Sequence, residues 1–178
     1  MSPEDYLRNR VAGPIVTASA SPLAAAAMDQ SYKDLLITGY LSANTGSFFT
    51  QLLLGAGGSP STTLSDYYLL GTTAISSGTF GILNQQAPWI GYAYQTTGEP
   101  NRFRIVIPDY SVSSETKVAF FEYWGGPGGS GHSHYHSGSI RFVPTGSITQ
   151  VQISVRDSAS AIGTAQDTTG RYQLTYLV

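Results

Sequence analysis

Arg171-Tyr172-Gln173-Leu174-Thr175-Tyr176-Leu177-Val178 closes the chain, and its alternation decides the fold class. Tyr172, Leu174, Tyr176 and Val178 fall on one side of an extended backbone and Arg171, Gln173 and Thr175 on the other, the pattern of a half-buried antiparallel strand. Period-two runs of the same kind recur toward the N-terminus. Ile148-Val155 carries Val151, Ile153 and Val155 on one face, and Arg102-Ile107 alternates Phe103, Ile105 and Ile107 with two arginines until Pro108 ends it. Tyr32-Ser42 sets Leu35, Ile37, Gly39 and Leu41 against Leu36, Thr38 and Tyr40.

Pro14-Ala18, Leu23-Met28, Phe48-Leu54, Asp66-Leu70, Trp89-Tyr94, Lys117-Trp124 and Ser139-Phe142 complete the series. Glycine, proline and serine turns separate them, as in Gly55-Ala56-Gly57-Gly58-Ser59-Pro60-Ser61. About ten short strands with no intervening helical pattern predict an all-β, antiparallel sandwich or barrel over 14–178. Residues 1–13 hold a cluster of charges and read as an N-terminal docking arm or a loose terminus.

Composition narrows the function. Only 11% of the 178 residues are charged and the net charge is -2, so the surface is polar but mostly uncharged. No basic run could neutralise successive phosphates, which argues against nucleic acid as a partner. The longest apolar stretches are far shorter than the roughly 20 residues a bilayer span requires, so membrane insertion is not expected. The absence of cysteine removes disulfides, thiolate metal sites and cysteine nucleophiles. The polar opening MSPEDYLRNR lacks the apolar run of a secretory leader, which predicts synthesis and retention in the cytoplasm of the producing cell.

Catalytic patterns are weak. Glu99, Asp109, Glu115, Glu122 and Asp157 are scattered rather than paired, and no serine lies in a Gly-x-Ser-x-Gly elbow. Gly55-Ala56-Gly57-Gly58 has the glycine content of a phosphate loop but neither its lysine nor its helix. No enzyme and no cofactor is expected.

The three histidines lie together in Gly131-His132-Ser133-His134-Tyr135-His136-Ser137-Gly138, beside the glycine-rich Gly125-Gly131. An extended backbone would place their imidazoles on one face, as metal-binding strands do. Gly126 and His132-Ser133-His134 match half of the cupin metal signature, but the glutamate that should follow is replaced by Gly138 or Ser139. The plainest reading is a solvated loop. Among the aromatics, Trp124 beside the glycine loop and Tyr135 within the histidine run are the candidates for an exposed recognition surface, because Tyr and Trp combine contact area with a polar tip.

The order of short segments carries a resemblance. Tyr32-Lys33-Asp34-Leu35-Leu36-Ile37 is followed by Leu52-Leu53-Leu54-Gly55, Asp66-Tyr67-Tyr68-Leu69-Leu70-Gly71 and Ile107-Pro108-Asp109-Tyr110. Gly146-Ser147-Ile148-Thr149-Gln150-Val151-Gln152-Ile153 and Gly170-Arg171-Tyr172-Gln173-Leu174-Thr175-Tyr176 come last. This series resembles tailed-bacteriophage virion structural proteins over residues 14–178. The resemblance implies a jelly-roll-like sandwich on the virion surface, a capsid decoration or short tail or neck fibre subunit, without catalytic residues. Its implied partners are capsid or tail proteins and further copies of itself, with a homotrimer expected. In such trimeric fibres a His-x-His pair from each chain can hold one ion on the threefold axis, and His132 with His134, or His134 with His136, is the matching pair. The alternative function is a carbohydrate-binding adhesion module that meets a host-surface glycan through Trp124 and Tyr135.

Overall fold

The computed structural model describes residues 10–18, 26–43, 47–75, 80–94, 100–125, 133–157 and 168–177. Twelve strands are formed among them: β1 (Arg10–Ala18), β2 (Ala26–Ala27), β3 (Asp34–Ala43), β4 (Ser47–Ala56), β5 (Tyr67–Ile75), β6 (Phe80–Gln85), β7 (Trp89–Tyr94), β8 (Asn101–Ile107), β9 (Lys117–Gly125), β10 (His134–Phe142), β11 (Ile148–Asp157) and β12 (Thr168–Leu177). A three-residue 3-10 turn at Leu64–Asp66 is the only helical element among the described residues. The expected all-β sandwich is therefore the fold, antiparallel at every strand pair.

An eight-stranded sheet has the order β1-β12-β3-β8-β9-β10-β5-β6, and a four-stranded sheet the order β2-β11-β4-β7. With β5, β6, β9 and β10 set aside, the chain alternates between the sheets except at β4 and β7, which follow one another in the smaller sheet. What is left pairs β1 with β12, β2 with β11, β3 with β8 and β4 with β7. This nested pairing is a long antiparallel ribbon rolled into two layers, the jelly-roll arrangement. The four extra strands all join the larger sheet beyond β8 and widen it on that side only.

Alternation fills the space between the layers. Leu35, Ile37 and Leu41 of β3, Phe103, Ile105 and Ile107 of β8, and Tyr172 and Leu174 of β12 meet Leu52, Leu54, Val151, Ile153 and Val155 of the smaller sheet. Each such side chain, taken fully out of water, stabilises the fold by about 1.5–3 kcal/mol. The layers are closest where β7 crosses β9, and a methyl group on Gly91 would overlap the Tyr123 ring. Thr50 donates a hydrogen bond to the Tyr123 hydroxyl there, at 3.1 Å, so the buried phenol is satisfied across the interface.

The segments that carry the resemblance meet at one end of the sandwich and brace it. Asp109 adopts a left-handed conformation (φ 49°), which turns the chain so that the Tyr110 amide reaches the Lys33 carbonyl at 2.7 Å. The Asp109 amide donates to the Asp34 carboxylate at 2.9 Å, and the Ile148 amide donates to the Tyr110 carbonyl at 2.7 Å. The Tyr110 hydroxyl donates to the Asp29 carbonyl, whose own amide donates to the Tyr176 hydroxyl at 3.0 Å. Likewise Tyr67 holds the turn after β4, with its hydroxyl accepting from Leu54 N at 3.0 Å and donating to the Ser61 carbonyl at 2.9 Å.

The strands depart from the sequence reading at several places: within Leu23-Met28 the described strand is β2 alone, and the strand read as Asp66-Leu70 runs on to Ile75 in β5. β1 starts at Arg10, inside the expected arm, because residues 10–12 pair with β12 at Leu177, Tyr176 and Thr175; residues 1–9 lie outside the described ones. β6 was not anticipated, since Gly81 and the polar end Asn84-Gln85 blur its alternation. β10 begins five residues before Ser139, so most of the presumed histidine loop is strand, paired on both sides with β5 and β9.

Candidate functional site on the outer face of the large sheet

His134 and His136 lie on the opposite face of the large sheet from Trp124 and Tyr135. His134 and His136 point between the layers and are each only 6% exposed, with their rings stacked at 6.3 Å. His136 also packs edge-on against Tyr123 at 5.9 Å. Burial, with the neighbouring His134, pushes the His136 imidazole down to about 4, so it is neutral at physiological pH. A solvated loop is thus not what these two residues form, because the ladder on both sides draws them into the core. His134 faces the interior of the single chain, and His132 lies outside the described residues. No group of three His, Asp or Glu side chains that could hold an ion is present among the described residues.

Trp124 and Tyr135 are brought together by strand register rather than by a loop. They are direct cross-strand partners on the outer face, with ring centroids 5.7 Å apart. Trp124 is 43% exposed, and Tyr135 is half-buried with its hydroxyl directed at Glu122, 3.4 Å away.

The same register extends that pair into a row. Arg171 of β12 faces Tyr40 of β3, Tyr40 faces Arg102 of β8, Arg102 faces Trp124 of β9, and Trp124 faces Tyr135. Adjacent strands are about 4.8 Å apart, so five strands lay guanidinium, phenol, guanidinium, indole and phenol side by side on an open face. Arg171 lies over the Tyr40 ring at 5.6 Å, which orients it as a cation over an aromatic surface. At this end of the row Thr38, Tyr40, Pro100, Arg102, Arg171 and Gln173 border an open cleft of about 510 Å³. Stacking and charge-assisted hydrogen bonding are the interactions it offers.

Toward the other edge the outer face becomes apolar. Phe120 of β9 and Leu70 of β5 flank Ser139 in one cross-strand row, and Ile82 and Tyr68 adjoin them. Their exposures are 53%, 58%, 76% and 44% for Phe120, Leu70, Ile82 and Tyr68. This patch ends at β6, an outermost strand of the sheet, whose far edge has no ladder partner among the described residues.

Tyr40, Arg102 and Arg171 were not singled out from the sequence. Each occupies an outward position of an alternating run, but only the pairing of β12, β3 and β8 makes them neighbours. The fold is a jelly-roll sandwich whose wider sheet presents exposed arginines and aromatics on its outer face. No protein-family model, curated protein or solved structure matches the chain.

Proposed function

We propose that the protein is a non-enzymatic structural component of a tailed-phage particle exterior, a capsid decoration or a short tail or neck fibre subunit, docking on other virion proteins and on copies of itself. The observation that carries this reading is the exposed band Phe120, Leu70, Ile82 and Tyr68 beside the open edge of β6. Apolar side chains gathered on one face beside an unpaired strand edge are what an assembling subunit buries. Closed symmetry would prevent such an edge from recruiting chains without limit, which favours a trimer or similar ring. The jelly-roll topology agrees by analogy, being shared by capsid and lectin domains.

Antibody labelling of particles made from the genome that encodes this chain tests it. Label at a regular position on the particle is expected. Particles without the chain would refute the proposal.

A second reading, adhesion to a host-surface glycan, is favoured by the row from Arg171 to Tyr135. The two uses occupy different parts of one face and are compatible.

A further inference from the structure

We propose that the cleft at the β12, β3 and β8 end of the row binds an acidic saccharide, a sugar bearing a carboxylate. This inference rests on the glycan-adhesion reading and specifies its ligand.

Charge comes first. Arg102 and Arg171 both border the cleft, both are exposed, and no carboxylate lines it among the described residues. In a chain of net charge -2 this is a local reversal of sign. Among the described residues of the outer face, Glu122 is paired in register with Arg104 and contacted by Tyr135. Two guanidinium groups flank Tyr40 on strands roughly 10 Å apart, so both can reach one anionic group held between them.

Shape and polarity point to a sugar rather than to a bare ion. The cleft is open, and next to its Arg102 in the cross-strand row stands Trp124, 43% exposed and able to stack on a sugar ring. Thr38 and Gln173, which line the floor, supply a hydroxyl and an amide for sugar hydroxyls. A nucleic-acid strand also offers anions and flat rings, but the further arginine beside the cleft, Arg104, stands in register with Glu122, which leaves little of the phosphate contact on which a strand's affinity depends.

Direct titration of the full chain by calorimetry tests the assignment, with trigalacturonate and sialyllactose as two sources of a sugar carboxylate, the carboxyl-reduced form of each as control, and oligothymidylate as the competing class. At least one acidic sugar should bind, its carboxyl-reduced form at least about 10-fold more weakly. Arg102→Gln and Arg171→Gln should each weaken the acidic ligand by about 10-fold or more, with unchanged circular dichroism and melting. Equal binding of an acidic sugar and its reduced form, lost in Trp124→Ala, would overturn the acidic assignment while leaving glycan adhesion standing. Binding of oligothymidylate alone would replace the saccharide with a nucleic-acid strand. No binding of any sugar would overturn both the assignment and the adhesion reading.

Discussion

His134, Tyr135 and His136 are consecutive residues of one strand, yet they belong to two different environments. The two histidines lie between the sheets at 6% exposure each, stacked on one another, while Tyr135 stands outside against Trp124. The same contrast runs across the whole large sheet. Its inner face is packed with Ile, Leu, Phe and Tyr to the point where Gly91 leaves no room for a methyl beside Tyr123, and its outer face carries exposed Arg, Tyr, Trp and Phe in contact with solvent. One face determines stability and the other is free to determine binding, so substitutions should sort by parity along each strand rather than by segment.

Tyr123→Ala should cause the largest loss of stability, about 3–5 kcal/mol from the cavity and the lost ring contacts. A lower midpoint in urea unfolding, with an unchanged slope, would register it. A midpoint close to wild type would mean that the layers do not close on this ring.

The buried His136 comes next. Its folded value of about 4 lies below the usual value near 6.5, so the unfolded chain binds more protons between those limits. Stability is therefore full above about pH 6.5 and falls as the pH drops toward 4, by on the order of 3 kcal/mol. Urea midpoints measured across this range should decline in the wild type and decline much less in His136→Leu. Equal declines would place the titration elsewhere.

Gly91→Ala adds one methyl against the Tyr123 ring and should cost about 1–3 kcal/mol. Melting temperature reports it, and the combination with Tyr123→Ala should be less than additive because the second change removes the obstruction. On the opposite face, Trp124→Ala and Tyr135→Ala should each alter stability by no more than about 0.5 kcal/mol, the smallest effect of the series. A large loss there would mean that the outer aromatics also hold the fold.

How much of this was legible in the sequence follows the range of the interactions. Alternation is local, so β7 was read at its observed limits and the inward sets of β3, β8, β11 and β12 were read from Leu35, Phe103, Val151 and Leu174 outward. Local signals failed where a strand's residues are not β-branched or apolar. Small and polar residues hid β6, and glycine flanks made His134 to Gly138 look like a loop, although pairing on both sides keeps that stretch extended. Trp124 and Tyr135 were recognised singly, while their juxtaposition, and the inclusion of Tyr40, Arg102 and Arg171, depend on a strand order set by pairings distant in sequence. Pattern within a strand carries no information about which strand lies next to it.

Sedimentation equilibrium of the wild type and of the combined variant Leu70→Asp, Ile82→Asp, Phe120→Asp tests most directly whether the outer face is where this protein assembles. All three side chains are solvent-exposed in the single chain, so the variant should fold normally, as circular dichroism will verify. The expected result is a closed oligomer, a trimer for preference, for the wild type and a monomer for the variant. A wild type that remains monomeric, or a folded variant that assembles as well as the wild type, would contradict the account.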